Sequence, residues 1–93
     1  MFSDQNLKHN VTVLPHSEYN DIGLSGVCWK WNEDAKKSFG LTAGEDCGVI
    51  AQEVRMLYPW VVSQGKDGYL RVQCDMLREM TYVVRNKNLS LGM

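Results

Sequence analysis

The sequence predicts a small α+β domain that ends in a helix, and three stretches carry the prediction. GVCWKWN alternates apolar and polar residues with a period of two. GKDG separates two strand-like runs, and MLREMTYVVRNKN sets Leu77, Met80 and Val84 at three- and four-residue steps. With 93 residues there is room for one domain, 1–93, and 44% hydrophobic against 23% charged residues is too apolar for a disordered chain. A domain this short buries only about 60–65% of the surface its unfolded chain exposes, so its stability calls for help. Three cysteines cannot form two disulfides and no metal-ligand spacing is visible, which leaves oligomerisation as that help. A net charge of −1 and a pI near 6.0 give no electrostatic footprint for nucleic acid or membrane. No run is long enough to span a bilayer, and MFSDQNLKHN lacks the apolar core of a signal peptide.

The elements follow in chain order. LKHNVTVLP alternates around Leu7, Val11 and Val13 and reads as a strand stopped at Pro15. HSEYNDIG is polar, ends in glycine and suits a short helix. In GVCWKWN, Val27, Trp29 and Trp31 share one face while Cys28 and Lys30 share the other. Asn32 caps a helix over EDAKKSFG, with acids in its first turn and Gly40 at its end. LTAGED reads as a loop, CGVIA as a short apolar strand, and AQEVRMLYP as a helix with Ile50, Val54 and Leu57 on one face. WVVSQGKDGYLRVQ reads as strand, turn and strand, and Asp75 caps the last helix, where Met76 and Val83 widen the stripe. That stripe suits either the domain's own sheet or further copies of the chain.

Cys28, Cys47 and Cys74 lie far apart in sequence and read as small, partly buried hydrophobes in a reducing compartment. His9 and His16 stand at no ligand spacing from them, so no metal is expected and no cofactor is implied. Trp29, Trp31 and Trp60 offer a stacking platform for a sugar or a base, or else core packing, with Pro59 aiming Trp60 inward. Gln52 and Glu53 read as an acid site, or else Gln52 satisfies backbone at the strand-to-helix junction and Glu53 favours the positive N-terminus of the helix. EDAKK is a solvated face whose ion pairs contribute a few tenths of a kcal/mol each.

Covalent chemistry has one candidate arrangement, Ser3, Asp4 and Lys8 at the front of the chain. A serine hydroxyl is a weak nucleophile that needs a base, and lysine serves only when its amine is neutral, which requires desolvation. On spacing alone, Ser3 or Asp4 caps the first turn and Lys8 is solvated.

SDQNLKHNV, WKWN, DCGVIAQEVRMLYPWVV and DGYLRVQCDML occur in an order that resembles one family, the C-terminal intramolecular chaperone domains of phage tail spikes, tail fibres and endosialidases. A related domain occurs in the myelin regulatory factor. The resemblance spans Ser3 to about Val84, with GVIAQEV as its most specific piece and S-D-x-x-L-K as its functional one. It implies a homotrimer behind an upstream fibre or spike segment of the same chain, setting register during folding and then releasing itself by autoproteolysis. By position, Ser3 is the nucleophile, Lys8 the general base and Asp4 a supporting residue, and the cut falls between Phe2 and Ser3. Leu77, Met80 and Val84 are the implied trimer helix, and Lys8 is expected to become a competent base when assembly buries it. The implied location is a virion-associated tail fibre precursor made in the host cytoplasm. Asn6 and Cys74 depart from the arginine and tyrosine common at those positions, and NLSLGM follows a short final helix. A non-catalytic trimerisation or attachment module and a sugar-binding tip are the alternatives.

Overall fold

The computed structural model describes residues 2–41 and 44–91. Among these residues, three α-helices and two small antiparallel sheets give the expected α+β architecture. The larger sheet runs in the order β1 (Lys8–Val13), β2 (Val27–Trp31), β3 (Glu45–Gly48), and the smaller pairs β4 (Val62–Gln64) with β5 (Leu70–Val72). The helices are α1 (Glu33–Phe39), α2 (Ala51–Leu57) and α3 (Cys74–Leu91).

The alternation in β2 is realised: Val27, Trp29 and Trp31 are buried, Cys28 is half-buried and Lys30 is exposed. On β1 the alternation fails after Leu7. Asn10 takes a positive φ of 52°, the pairing to β2 shifts between His9 and Thr12, and Val11 and Val13 are left exposed on the edge strand. HSEYNDIG yields only a 3-10 turn, Glu18–Ile22, opened by the Ser17 and Asn20 capping box and closed by Gly23. The cap on α1 is as read: Asn32 Oδ1 accepts from Ala35 N at 3.1 Å, and Gly40 takes the left-handed conformation at φ 65°.

Several expectations change. β3 begins at Glu45 rather than Cys47, because β2 pairs along its length from Val27↔Gly48 to Lys30↔Glu45. Val49 and Ile50 lie past the strand and lead into α2, whose Val54 is buried while Leu57 is half exposed. Thr42 and Ala43 of the expected loop lie outside the described residues. Trp60 does not enter the core: Pro59 opens a 3-10 turn, Pro59–Val61, that turns Val61 inward and leaves Trp60 62% exposed against Tyr58. α3 starts at Cys74, which places Asp75 within the first turn, and it continues to Leu91.

The reading of three thiols is overturned as well. Cys28 and Cys47 are register partners across β2 and β3, and their sulfurs are bonded, leaving Cys74 outside the disulfide. They stand 19 positions apart in sequence, and strand register brings them together. Glu45 lies beside the pair, but the disulfide occupies the thiolates a metal would use.

Two apolar clusters form the core. One gathers Leu24, Val49, Val54, Val61, Val72 and Leu77 around α2, β5 and α3. The other centres on Leu7, Trp29, Trp31 and Ala35. Residues 3–7 lie where the two meet: Ser3 joins Ala51 of the first cluster, and Leu7 belongs to the second.

Candidate functional site

Ser3, Asp4 and Lys8 come together at this junction, and all three are buried. Asp4 caps a 3-10 turn, Gln5–Leu7, which reverses the chain so that Lys8 at the start of β1 returns toward Ser3. The capping role read from the sequence is therefore correct for Asp4, whereas a solvated Lys8 is not: the residue is 6% exposed.

Lys8 Nζ donates to the carbonyl of Val49 at 2.8 Å and to the carbonyl of Ser3 at 3.2 Å. It also lies 3.5 Å from the centroid of the Trp29 ring. Burial pushes the Lys8 ammonium down from 10.5 to about 7, against the opposing pull of the Asp4 and Asp46 carboxylates. A single chain is thus enough to desolvate the lysine, which corrects the expectation that assembly must do so. Ser3 Oγ is buried with no hydrogen-bond partner among the described residues, and no hydrogen bond joins it to Lys8 Nζ. The lysine touches the serine through its backbone instead.

Asp4 holds the corner together. Its Oδ1 accepts from Asn6 N, Asn6 Nδ2 and Gln52 Nε2 at 2.8–2.9 Å, and its Oδ2 accepts from Leu70 N at 2.7 Å. Burial by itself raises the carboxyl, but the bonds from Asn6, Leu70 and Gln52 outweigh it and hold Asp4 below the usual carboxylate range. Gln52 Oε1 accepts from Gln5 N at 2.9 Å, and Ser3 O accepts from Ala51 N at 2.7 Å, so the start of α2 is sewn to the start of the chain. Glu53 Oε1 accepts from Ser25 N at 2.6 Å. Gln52 thus serves backbone at Gln5 rather than at the strand-to-helix junction, and Glu53 stands in the first turn of α2. The sequence gives no sign of the Val49 carbonyl or of the Leu70 amide, since backbone groups carry no side-chain signature. Trp29 was legible as core, and its second role, a π-face beneath the lysine, was not.

The bond between Phe2 and Ser3 lies beside β5. Phe2 makes an isolated antiparallel bridge to Arg71, and its ring stacks on Phe39 with centroids 4.3 Å apart. The stripe on α3 divides its contacts. Leu77 is fully buried in the domain's own core, and Met80 and Val84 pack half-buried against it. Met80, Val83 and Val84 also line a shallow apolar groove of about 420 Å³ with Trp60 and Met76. Trp29 and Trp31 are buried and Trp60 is exposed, so the three tryptophans form no common platform. Among the described residues, no helix is long and apolar enough to cross a membrane.

No curated protein and no solved structure was found to match the chain. A family match does cover residues 3–63, a span that holds Ser3, Asp4, Lys8, Val49 and Gln52. On that match, over more than half its length, the chain belongs to the chaperone of endosialidase family, whose name also marks it as a peptidase.

Proposed function

We propose that the chain is the trimerising chaperone domain of a viral tail fibre or spike and that it releases itself by cutting the Phe2–Ser3 bond. The observation that carries this reading is a buried lysine, able to lose its proton near pH 7, bound against the backbone of the serine beside that bond. A neutral amine has two N–H groups and one lone pair. The carbonyls of Val49 and Ser3 take the two donors, which leaves the lone pair for the hydroxyl proton of Ser3.

Because the nucleophile belongs to the residue after the bond, the first step is an N-to-O acyl shift. Ser3 Oγ attacks the carbonyl carbon of Phe2 while its proton passes to Lys8 Nζ. The C–N bond then breaks as Lys8 returns the proton to the Ser3 nitrogen, giving an ester on Ser3 Oγ and a free α-amine. Water hydrolyses the ester, which leaves a carboxylate on Phe2 and restores the Ser3 hydroxyl. Cleavage makes assembly one-way, since a released fibre has lost the cap that aligned its strands; long-range strand register is the slow step such a cap assists.

A second reading, a non-catalytic trimerisation or attachment module, is favoured by one observation: Ser3 Oγ and Lys8 Nζ share no hydrogen bond. The test places the chain behind a trimeric fibre segment and follows splitting on a denaturing gel, with N-terminal sequencing of the product and light scattering for mass. The first reading expects a fragment beginning at Ser3 and intact Ser3→Ala and Lys8→Met fusions. A wild-type fusion that stays whole, or a Ser3→Ala fusion that splits as fast, overturns it. Three-chain assemblies that never split establish the second.

A further inference from the structure

Phe2 is gripped from two elements. Phe39, at the end of α1, stacks on its ring at 4.3 Å with an interplanar angle of 29°. Arg71, on β5, places its guanidinium carbon 4.6 Å from the Phe2 centroid and 5.8 Å from that of Phe39, so the cation closes a triangle with both rings. Tyr69 meets Phe39 edge-on at 5.6 Å and braces it from behind. The backbone is held too. Arg71 pairs with Ser63 of β4 on one side and bridges to Phe2 on the other, so residue 2 sits as an added strand on the outer edge of β5.

The guanidinium itself is fixed. Arg71 Nη2 and Nη1 donate to the two oxygens of Asp67 at 2.7 and 3.1 Å, and Nη1 also donates to the carbonyl of Tyr69 at 3.1 Å. Gly65 leaves the room for this, because a Cβ there would collide with Arg71 Nη1. A short turn, an acid, a glycine and an arginine are thus arranged around one ring that belongs to the residue just before Ser3.

We infer that Phe39, Tyr69 and Arg71 form a recognition site for the residue preceding the cut, selective for a flat aromatic side chain. This inference rests on the self-cleavage proposed above. The hydroxyl of Ser3 can reach the Phe2 carbonyl productively only if that residue's backbone is held in one orientation, and a ring clamped on one face with its backbone on β5 provides the hold. Simple burial of an apolar group would accept leucine equally well. Stacking and a cation over the ring would not.

The test uses the full chain behind a trimeric coiled-coil carrier and measures the rate of splitting for variants at position 2. Phe2→Tyr should split within about threefold of wild type, Phe2→Leu about fivefold slower, and Phe2→Ala about thirtyfold slower. Arg71→Ala should slow splitting about fivefold, and Gly65→Ala, which displaces the guanidinium without removing it, should slow it in the same direction. If wild type splits and Phe2→Leu keeps pace with it, the inference is overturned while the cleavage reading stands. If wild type never splits, the cleavage reading falls, and the thermal midpoints of Phe2→Leu, Arg71→Ala and the double variant decide whether the grip exists. Non-additive losses support it, and additive losses overturn it.

Discussion

Ser3, Asp4 and Lys8 are polar side chains taken out of water, whereas Trp60, Met76 and Val83 are large apolar ones left in it along the groove beside α3. The first region is crowded with bonds. Asp4 alone accepts four hydrogen bonds, from residues as distant as Leu70. The second is lined chiefly by apolar side chains, and its buried member, Ile22, is already committed to the domain's core. Both arrangements cost a single chain stability, one by desolvation and the other by exposed apolar surface. The two regions differ in completeness: the hydrogen bonds of Asp4 and Lys8 all come from within one chain, while the apolar face has its outer half uncovered. The proposed cleavage and the proposed assembly can therefore be tested by separate substitutions.

The corner breaks most completely at Lys8. Lys8→Met keeps the volume and removes the amine, so splitting of the fusion should fall at least about a thousandfold. The same variant has a pH signature. In the unfolded chain the lysine holds its proton to about 10.5, but in the fold only to about 7. Unfolding takes up a proton between those values, so wild-type stability should rise with pH across that window, with the full penalty present below it. Lys8→Met should lack this rise, by several kcal/mol at its upper end, in urea unfolding measured from pH 6 to pH 10. The rate of splitting should climb through about pH 7 to a plateau as the amine becomes neutral.

Asp4→Ala comes next. It leaves the Leu70 amide and the Gln52 side chain without their acceptor, at a cost of about 3 kcal/mol, or roughly 15 °C in thermal midpoint. Since the folded carboxyl is held below its ordinary value, its contribution is complete above the unfolded pKa and is lost as pH falls through the folded one. Wild type should therefore lose stability in acid more steeply than Asp4→Ala.

These two regions also differ in how far the sequence reveals them. The α+β class, the strand through Trp29 and Trp31, the Asn32–Gly40 helix and the Asp4 cap follow from local periodicity and capping chemistry, and all are present. The corner's chemistry is half legible: Ser3, Asp4 and Lys8 stand within one short motif, but their partners Val49, Gln52 and Leu70 lie 41 to 66 residues away and act mostly through backbone. Strand register, which pairs Cys28 with Cys47, is a tertiary outcome that cysteine spacing does not encode. Trp60 fails for a different reason. A proline before a tryptophan suggests a chain aimed inward, but a 3-10 turn places successive residues on different sides, and here Val61 is the one that enters the core.

Ser3→Ala reverses the usual direction of a core substitution. The Ser3 hydroxyl is buried and unpartnered, so removing it relieves a desolvated polar group and leaves at most a small void. The variant should gain about 1 kcal/mol, seen as a higher urea midpoint with an unchanged slope, while its fusion stays whole. A loss of stability would mean the hydroxyl has a partner in solution.

The apolar face should respond in the opposite way. Val83 is 56% exposed on α3 and lines the groove with Met76 and Trp60. Val83→Ser removes apolar surface without opening the core, so the stability of a single chain should change by no more than about 0.5 kcal/mol. If the face is where copies meet, the same substitution should lower the mass measured by light scattering toward that of one chain, because each copy would lose the contact at once. Leu77→Ala is the control from the buried side of the same helix, and it should cost about 3 kcal/mol in any state of assembly. An assembly that survives Val83→Ser with its mass unchanged would place the contact elsewhere on the domain. It would also show that exposure along α3 is not by itself what joins the chains.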